Sequence, residues 1–112
     1  MTGTVLLVIR RGALHFTRET YERFFNSLDN VVLLRDGDDL VVLPVRNRAA
    51  GGYVIKIRTA AGDRAVAAAD FFRDNGIEDS IEMTLPAAWD DDRAALVASH
   101  VFGCQLSLQT EM

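Results

Sequence analysis

Residues 31–45, VVLLRDGDDLVVLPV, contain two apolar runs separated by the acidic stretch Asp36–Asp39. An Asp-Gly pair between apolar runs is among the strongest local signals for a β-hairpin. With Asp36-Gly37 as a two-residue turn, this pattern predicts that Leu33 pairs with Leu40. The same register pairs the flanking residues in order, Val32 with Val41 and Val31 with Val42.

Both faces of this predicted hairpin are apolar, because alternate side chains of a strand point to opposite sides. A hairpin that is apolar on both sides cannot lie on one small core with its other face in water. We therefore expect it to be covered twice, by its own domain and by a second sheet or subunit, and we expect a homo-oligomer. The interface is assigned to the side chains of one face, Val31, Leu33, Leu40 and Val42.

Length and composition describe one globular domain, or two very small ones fused together. The chain has 112 residues, of which 49% are hydrophobic and 25% are charged, and its formal net charge is -4. The single cysteine excludes an internal disulfide framework, which is typical of a reducing cytosol. No apolar stretch reaches the roughly 18–20 residues that a membrane span needs, so we expect a cytoplasmic protein without a membrane partner.

Charge is unevenly distributed along the chain. Residues 1–50 carry seven arginines and six acidic residues, whereas residues 51–112 carry five basic and ten acidic residues. Any surface that binds anions is therefore expected in the first half. The arginines that cluster there are Arg10, Arg11, Arg18 and Arg23.

The two halves of the sequence show a similar order of patterns. Each has a short apolar strand, a turn with glycine, a second short strand, an amphipathic helix and a further hairpin. The clearest correspondences are Gly12 with Gly62 and Phe24-Phe25 with Phe71-Phe72. We predict an α+β, mostly β fold in which residues 1–50 and 51–112 form two hairpin-rich units with one short helix each. The second unit is more divergent, and both are expected to pack into one globular domain as a small barrel-like or interleaved sheet.

The last segment of the chain fits two structures. Residues 90–103 have acids at the start, alanine and leucine inside and glycine at the end, as an α-helix does. The same segment fits a turn at Asp90–Arg93 followed by a strand over Ala94–Ser99. The internal repeat favours the hairpin, because Asp36–Asp39 then corresponds to Asp90–Arg93. Gly103–Met112 is predicted to be an edge strand before a frayed end.

A basic residue, a glycine and an apolar-polar-apolar strand open a longer pattern in the first half. This pattern continues through a short helix, a strand, an acidic turn and a strand that ends near proline, over Arg11–Thr17, Phe24, Val31–Leu34 and Leu40–Pro44. It resembles the AbrB/SpoVT family of swapped-hairpin domains over about residues 5–45. Residues 53–98 resemble the family more loosely, and two such units in one chain are similar to the tandem arrangement of MraZ.

The resemblance implies a β-barrel of interleaved hairpins that binds DNA through basic residues near the first turn. Carried over to this sequence, the implied DNA-binding residues are Arg10, Arg11 and Arg18. Arginine suits this role because its planar guanidinium matches phosphate oxygens, and phosphate contacts supply most non-specific affinity for DNA. The chain departs from the family at Thr17, where the family has proline, and at Asp29-Asn30, where it has Gly-Asp.

No group of residues forms a catalytic or metal-binding pattern, and we predict neither an enzyme nor a bound cofactor or metal. His15 lies between Leu14 and Phe16 on the opposite face of its predicted strand, where an exposed or partner-facing histidine needs no function. His100 and Cys104 have a helical ligand spacing, but a zinc site needs three or four ligands. The clustered aspartates are interpreted as solvated turns, since a calcium loop needs alternating ligands and a distal glutamate.

Two functions from different classes stay open. The first is a small DNA-binding, transcriptional-regulator-like protein that contacts phosphates through Arg10, Arg11 and Arg18. The second is a non-enzymatic interaction or assembly protein that uses the hairpin at residues 31–45 as its interface. Only the first function requires the arginines of the first half to converge on one face of the folded protein.

Overall fold

Eight antiparallel strands close into a barrel in the computed structural model, which describes residues 4–25, 28–46 and 52–102. In chain order the strands are β1 (Thr4–Arg10), β2 (Ala13–Phe16), β3 (Asn30–Asp36), β4 (Asp39–Val45), β5 (Tyr53–Ile57), β6 (Arg64–Ala67), β7 (Glu82–Asp90) and β8 (Ala95–Ala98). Around the barrel their order is β1-β2-β6-β5-β3-β4-β8-β7, and β7 pairs with β1. The prediction of a mostly β, barrel-like fold is confirmed.

Two short helices, α1 (Arg18–Phe24) and α2 (Ala69–Asp74), lie between β2 and β3 and between β6 and β7. The Thr17 side chain caps α1 by accepting a hydrogen bond from the Thr20 backbone N–H at 3.2 Å. Tyr21 and Phe25 are buried on the inner side of this segment. Within the described residues, neither helix is long and apolar enough to cross a membrane.

The hairpin of β3 and β4 turns at Gly37 and Asp38, one residue later than predicted, and Leu33 pairs with Val42. The φ of Gly37 is 64°, which suits the first central position of a type II′ turn. The predicted pairing of Leu33 with Leu40 is therefore wrong by two residues. Because the two faces of a strand alternate with a period of two, this shift leaves every side chain on its predicted face.

One face of this hairpin lies inside the barrel. The sequence assigned four residues of that face to a subunit interface, and each is at most 5% exposed within a single chain: Val31, Leu33, Leu40 and Val42. They belong to one buried cluster with inward side chains of other strands, including Leu7, Leu14 and Val66. Side chains that are buried in the core of their own chain have no surface left for a partner. The interface assignment of these residues is therefore wrong.

The second half of the chain supplies the cover that the hairpin needs. β3 pairs with β5, and β4 pairs with β8. In the same way β1 pairs with β7, and β2 pairs with β6. Each hairpin of the first half therefore lies between strands of the second half. Because the chain closes its own sheet, the inner apolar face of the hairpin gives no reason for a second subunit.

The last described segment is a hairpin. β7 and β8 are antiparallel, with Trp89 opposite Leu96, and β8 also pairs with β4. This result confirms the strand predicted within Ala94–Ser99 and excludes the alternative helix over residues 90–103. Pairing on both edges of β8 outweighs the local helix propensity of its alanines and leucine. The edge strand predicted for Gly103–Met112 lies outside the described residues.

The alternation along β3 predicts unequal effects of truncating two neighbouring leucines. Leu33 is 5% exposed in the core, whereas Leu34 is 45% exposed on the outer face. Leu33→Ala should lower the free energy of unfolding by about 2–5 kcal/mol, because it removes buried methyl groups and leaves a cavity. Leu34→Ala should change it by about 0.5 kcal/mol or less. Urea denaturation measures both values, and equal losses would contradict the inward orientation of Leu33.

Candidate functional site

A groove with a volume of about 540 Å³ crosses the outer face of β1, β2, β6 and β5. We name this cavity the basic groove, because its charged lining consists of Arg10, Arg11, Lys56 and Arg58. His15 also lines it. The fold thus brings Arg10 and Arg11, which were predicted to bind DNA, together with two cations of the second half that had not been assigned to a site.

Cross-strand pairing explains the shape of the basic groove. Three of the four outward positions at its centre, on β2 and β6, are occupied by alanines, Ala13, Ala65 and Ala67, and the fourth by His15. Lys56 pairs with Ala65 on one side, and Arg10 pairs with Ala13 on the other. Long cationic side chains therefore stand at the edges of a low centre. The two edge strands, β1 and β5, are three strand spacings apart, which is about 14 Å between backbones.

The four cations of the basic groove have no acidic partner within the part of the chain that the structure describes. The ion pairs found there join other arginines to acids: Arg18 to Glu22, Arg35 to Asp38, Arg73 to Asp79, and Arg93 to Asp36 and Asp90. Glu82 pairs opposite Arg10 across β7 and β1, but the two side chains form no ion pair. Since no described acid forms an ion pair with these cations, their charge is available to an anionic ligand.

His15 reports on the electrostatics of the basic groove. Burial of the ring lowers the pKa of His15, and the positive charges of Arg10 and Arg58 lower it further. A hydrogen bond with the backbone of Arg10 acts in the opposite direction. The neighbours Leu14 and Phe16 are buried in the barrel, so His15 lies on the outer face, as predicted. A bound anion would offset the nearby positive charges and raise the pKa of His15.

The turn that carries Arg11 is held against the start of α2. Arg11 and Gly12 have φ values of 54° and 72°, the left-handed values that a type I′ turn requires. The Gly12 carbonyl accepts a hydrogen bond from the Ala68 N–H at 3.0 Å. A Cβ on Gly12 would lie 2.6 Å from the Cβ of Ala69, which is too close for any other residue. This contact fixes the turn, and therefore the backbone of Arg11, relative to α2.

Arg18 does not line the basic groove. Its Nε–H donates a hydrogen bond to Glu22 Oε2 at 2.9 Å. Its aliphatic carbons pack over Gly62, where an added Cβ would lie 2.8 Å from Arg18 Cδ. The Arg18 backbone N–H donates to Asp63 Oδ1 at 3.2 Å, which ties the turn between β5 and β6 to α1. Arg18 therefore serves local contacts, and the fold does not bring it together with Arg10 and Arg11.

Acidic residues concentrate on turns at the other side of the barrel. The turns after β3 and β7 contain Asp36–Asp39 and Asp90–Asp92, and Arg93 bridges Asp36 at 2.8 Å. These turns belong to hairpins that include β4 and β8, which lie four strands around the barrel from β2 and β6. The overall negative charge therefore does not describe the basic groove.

Across the described residues, no group of three or more acids, histidines or cysteines could hold a metal ion.

The contribution of the second half to the groove was missed from the sequence. Lys56 and Arg58 alternate with Ile55 and Ile57, a signal for cations on one face of a strand. That signal does not say which other strand lies beside them. Only the pairing of β2 with β6 places these cations along the same groove as Arg10.

Comparison with known proteins gives no further guide to function. No protein-family model, curated protein or solved structure matches the chain. The functional argument therefore depends on the geometry and charge of the basic groove.

The position of His15 predicts that anion binding and protonation are coupled. In the free protein its pKa should lie below the ordinary value of about 6.5. Saturating sulfate should raise this pKa, because its charge offsets those of Arg10 and Arg58. Sulfate affinity should correspondingly rise as the pH falls through this range. NMR titration of the ring signal of His15, assigned with a His15→Asn variant, measures both pKa values.

The same lowered pKa makes stability depend on pH. Without an anion, the free energy of unfolding should fall as the pH drops below about 6.5, because the unfolded chain then binds more protons. His15→Asn should reduce this pH dependence of the free energy of unfolding.

In the sulfate experiment, a pKa of His15 that saturating sulfate leaves unchanged would show that the anion does not bind beside this ring.

The contact between Gly12 and α2 predicts a contrast between two glycine variants. Gly12 and Gly76 have φ values of 72° and 90°, so alanine costs about 1–2 kcal/mol of backbone strain at either position. Only at Gly12 would the new Cβ collide, with Ala69, since no atom lies within 4 Å at Gly76. Gly12→Ala should therefore destabilise the protein more than Gly76→Ala in urea denaturation and should also weaken sulfate binding. Equal losses in the two variants would contradict a tightly packed Gly12 turn.

Proposed function

We propose that the chain is a small DNA-binding protein whose basic groove contacts phosphates through Arg10, Arg11, Lys56 and Arg58. The observation that carries this proposal is a groove whose charged lining is wholly basic and, among the described residues, unpaired. Cations that neutralise phosphates release counterions from DNA, and this release supplies most non-specific affinity. A regulator-like role is consistent with such binding, because it needs no catalytic group.

We further infer that residues 1–50 and 51–112 are two copies of one unit with one helix each. In support, the strand order around the barrel is unchanged when β1–β4 are exchanged with β5–β8. The exchange relates β1, which carries Arg10, to β5, which carries Lys56. The groove then lies where the first hairpins of the two units meet. This arrangement supports the resemblance to AbrB/SpoVT domains in tandem, as in MraZ.

The assembly hypothesis is less well supported than DNA binding. The residues that it assigned to the interface are buried in the barrel. Among the described residues, the outer face of the same hairpin retains one large hydrophobic side chain that is exposed, Leu34 at 45%. A homo-oligomer that uses this outer face stays a proposal, and it would add one basic groove for each further chain.

The salt dependence of binding to a mixed-sequence duplex tests the proposed function. Four phosphate contacts predict a slope of log K against log salt of about -3.6. The double variant Arg10→Ala, Arg11→Ala should reduce its magnitude by about 1.8. It should also weaken binding to all sequences alike, because phosphate contacts do not read bases. The double variant Lys56→Ala, Arg58→Ala should have the same effect, which a site confined to the first half does not predict.

Arg18→Ala is the matched control, because Arg18 is an exposed arginine of the first half that pairs with Glu22. For the Arg18→Ala variant, the slope of log K against log salt should equal that of the unmodified protein. Fluorescence anisotropy measures binding, and light scattering on the same samples gives the number of chains, since a dimer with both grooves on DNA doubles the expected slope. No binding to duplex or single-stranded DNA at about 50 mM salt would refute the proposal and favour the assembly hypothesis.

A further inference from the structure

A second cavity, with a volume of about 430 Å³, lies beside the basic groove on the outer face of β1. The apolar side chains on its wall are those of Leu6 and Val8, since Phe16, which also borders the cavity, is buried in the barrel core. Leu6 is 59% exposed, so this apolar wall is open to a ligand from solution. We name this space the apolar cavity.

The basic groove and the apolar cavity are contiguous. Arg10, His15 and Arg58 line both of them. Cationic groups therefore stand at the boundary between a charged space and an apolar one. A ligand that occupies both spaces must join an anionic group to an apolar body, as a nucleotide joins a phosphate to a base.

Polar groups in the apolar cavity favour a base over a hydrocarbon chain. The cavity is also lined by three hydroxyl side chains, Thr17, Thr59 and Thr84, and by the carboxylate of Asp63. Hydroxyls donate and accept hydrogen bonds, and a carboxylate accepts them. Three of these groups already have partners, since Thr17 caps α1, Thr59 accepts a hydrogen bond from the Asp63 N–H, and Asp63 Oδ1 accepts one from the Arg18 N–H. Among the described residues the Thr84 hydroxyl has no such partner, and a hydrocarbon chain that covered it would leave it unpaired, whereas the edge of a base offers it both donors and acceptors. The lining therefore suits a flat body with a polar edge.

We propose that the apolar cavity binds an unpaired base whose phosphate lies in the basic groove, so that the protein prefers single-stranded to duplex nucleic acid. This inference rests on the proposed function, because the phosphates must occupy the same groove. Proteins that bind single strands combine a positively charged groove along the backbone with aromatic side chains on which bases stack, and in this cavity the aliphatic side chains of Leu6 and Val8 would contact the face of the base instead. A base inside a duplex cannot enter such a cavity until it is unpaired and unstacked.

Fluorescence anisotropy compares one labelled oligonucleotide, of about 12 nucleotides, as a single strand and as a duplex at the same salt concentration. We expect the single strand to bind about tenfold more tightly, because one base gains a contact that the duplex cannot make. Equal affinities for the two forms, with their salt dependence intact, would overturn this inference and leave the proposed function standing. Failure of both forms to bind would overturn both.

Leu6→Asn separates the base contact from the phosphate contacts, because it makes the cavity wall polar without a change of charge. Single-strand affinity should fall about five- to tenfold, whereas duplex affinity should stay the same. Leu34→Asn is the matched control, since Leu34 is an exposed leucine on the outer face of β3 that lines neither cavity. It should change neither affinity. If Leu6→Asn does not fold, Thr84→Val removes a hydroxyl from the same cavity at an exposed position and should also weaken single-strand binding selectively.

Two competitors identify the source of the base. A nucleoside monophosphate carries the same phosphate and base without a strand, and it should displace the labelled single strand only at far higher concentration. Displacement at equal concentration would overturn the assignment to nucleic acid in favour of a free nucleotide.

The second competitor, polyglutamate, tests whether the partner is an acidic protein instead of a nucleic acid. If polyglutamate competes as well as the unlabelled single strand and Leu6→Asn has no effect, the inference is wrong.

Discussion

Strand pairing between the two halves of the chain is the constraint on which the rest of the structure depends. Within each half, a hairpin pairs only across its own turn, and both of its outer edges pair with strands of the other half. A half on its own would leave every hairpin with two open edges and an uncovered apolar face. Closure of the barrel removes all of these edges together, so the halves depend on each other to fold.

The same interleaving determines where the charges meet. Arg10 and Lys56 belong to different halves, and only the pairing of β2 with β6 places them on either side of one groove. Most of the clustered aspartates belong to turns of the opposite hairpins. Electrostatic interactions in solution are screened over about 8–10 Å at moderate salt, so a ligand in the groove responds mainly to the local cations. The net charge of an acidic chain is therefore a poor guide to the partner of one face.

Local patterns predicted the features that depend on neighbouring residues. The hairpin after residue 30 and the outward position of His15 follow from spacing and residue type alone. The turn was misplaced by one residue because Asp36-Gly37 and Gly37-Asp38 are both acceptable turn pairs. The cover of Val31–Val45 and the approach of Lys56 to Arg10 could not be predicted, because both depend on pairing between distant strands. The internal repeat led to one long-range prediction that the structure confirms, the strand within Ala94–Ser99.

The turn at Arg11 and Gly12 shows how the barrel prepares the groove for a ligand. A left-handed φ of 54° at Arg11 costs about 1–2 kcal/mol, so the surrounding contacts must outweigh it. Those contacts come from the start of α2, which packs against Gly12. α2 is also joined to β5, because the Tyr53 hydroxyl donates a hydrogen bond to Asp70 Oδ1 at 3.2 Å. Since β5 carries Lys56, one helix supports both edges of the groove. Cations whose backbones are held in place before an anion arrives lose less conformational freedom on binding, which favours affinity without additional contacts.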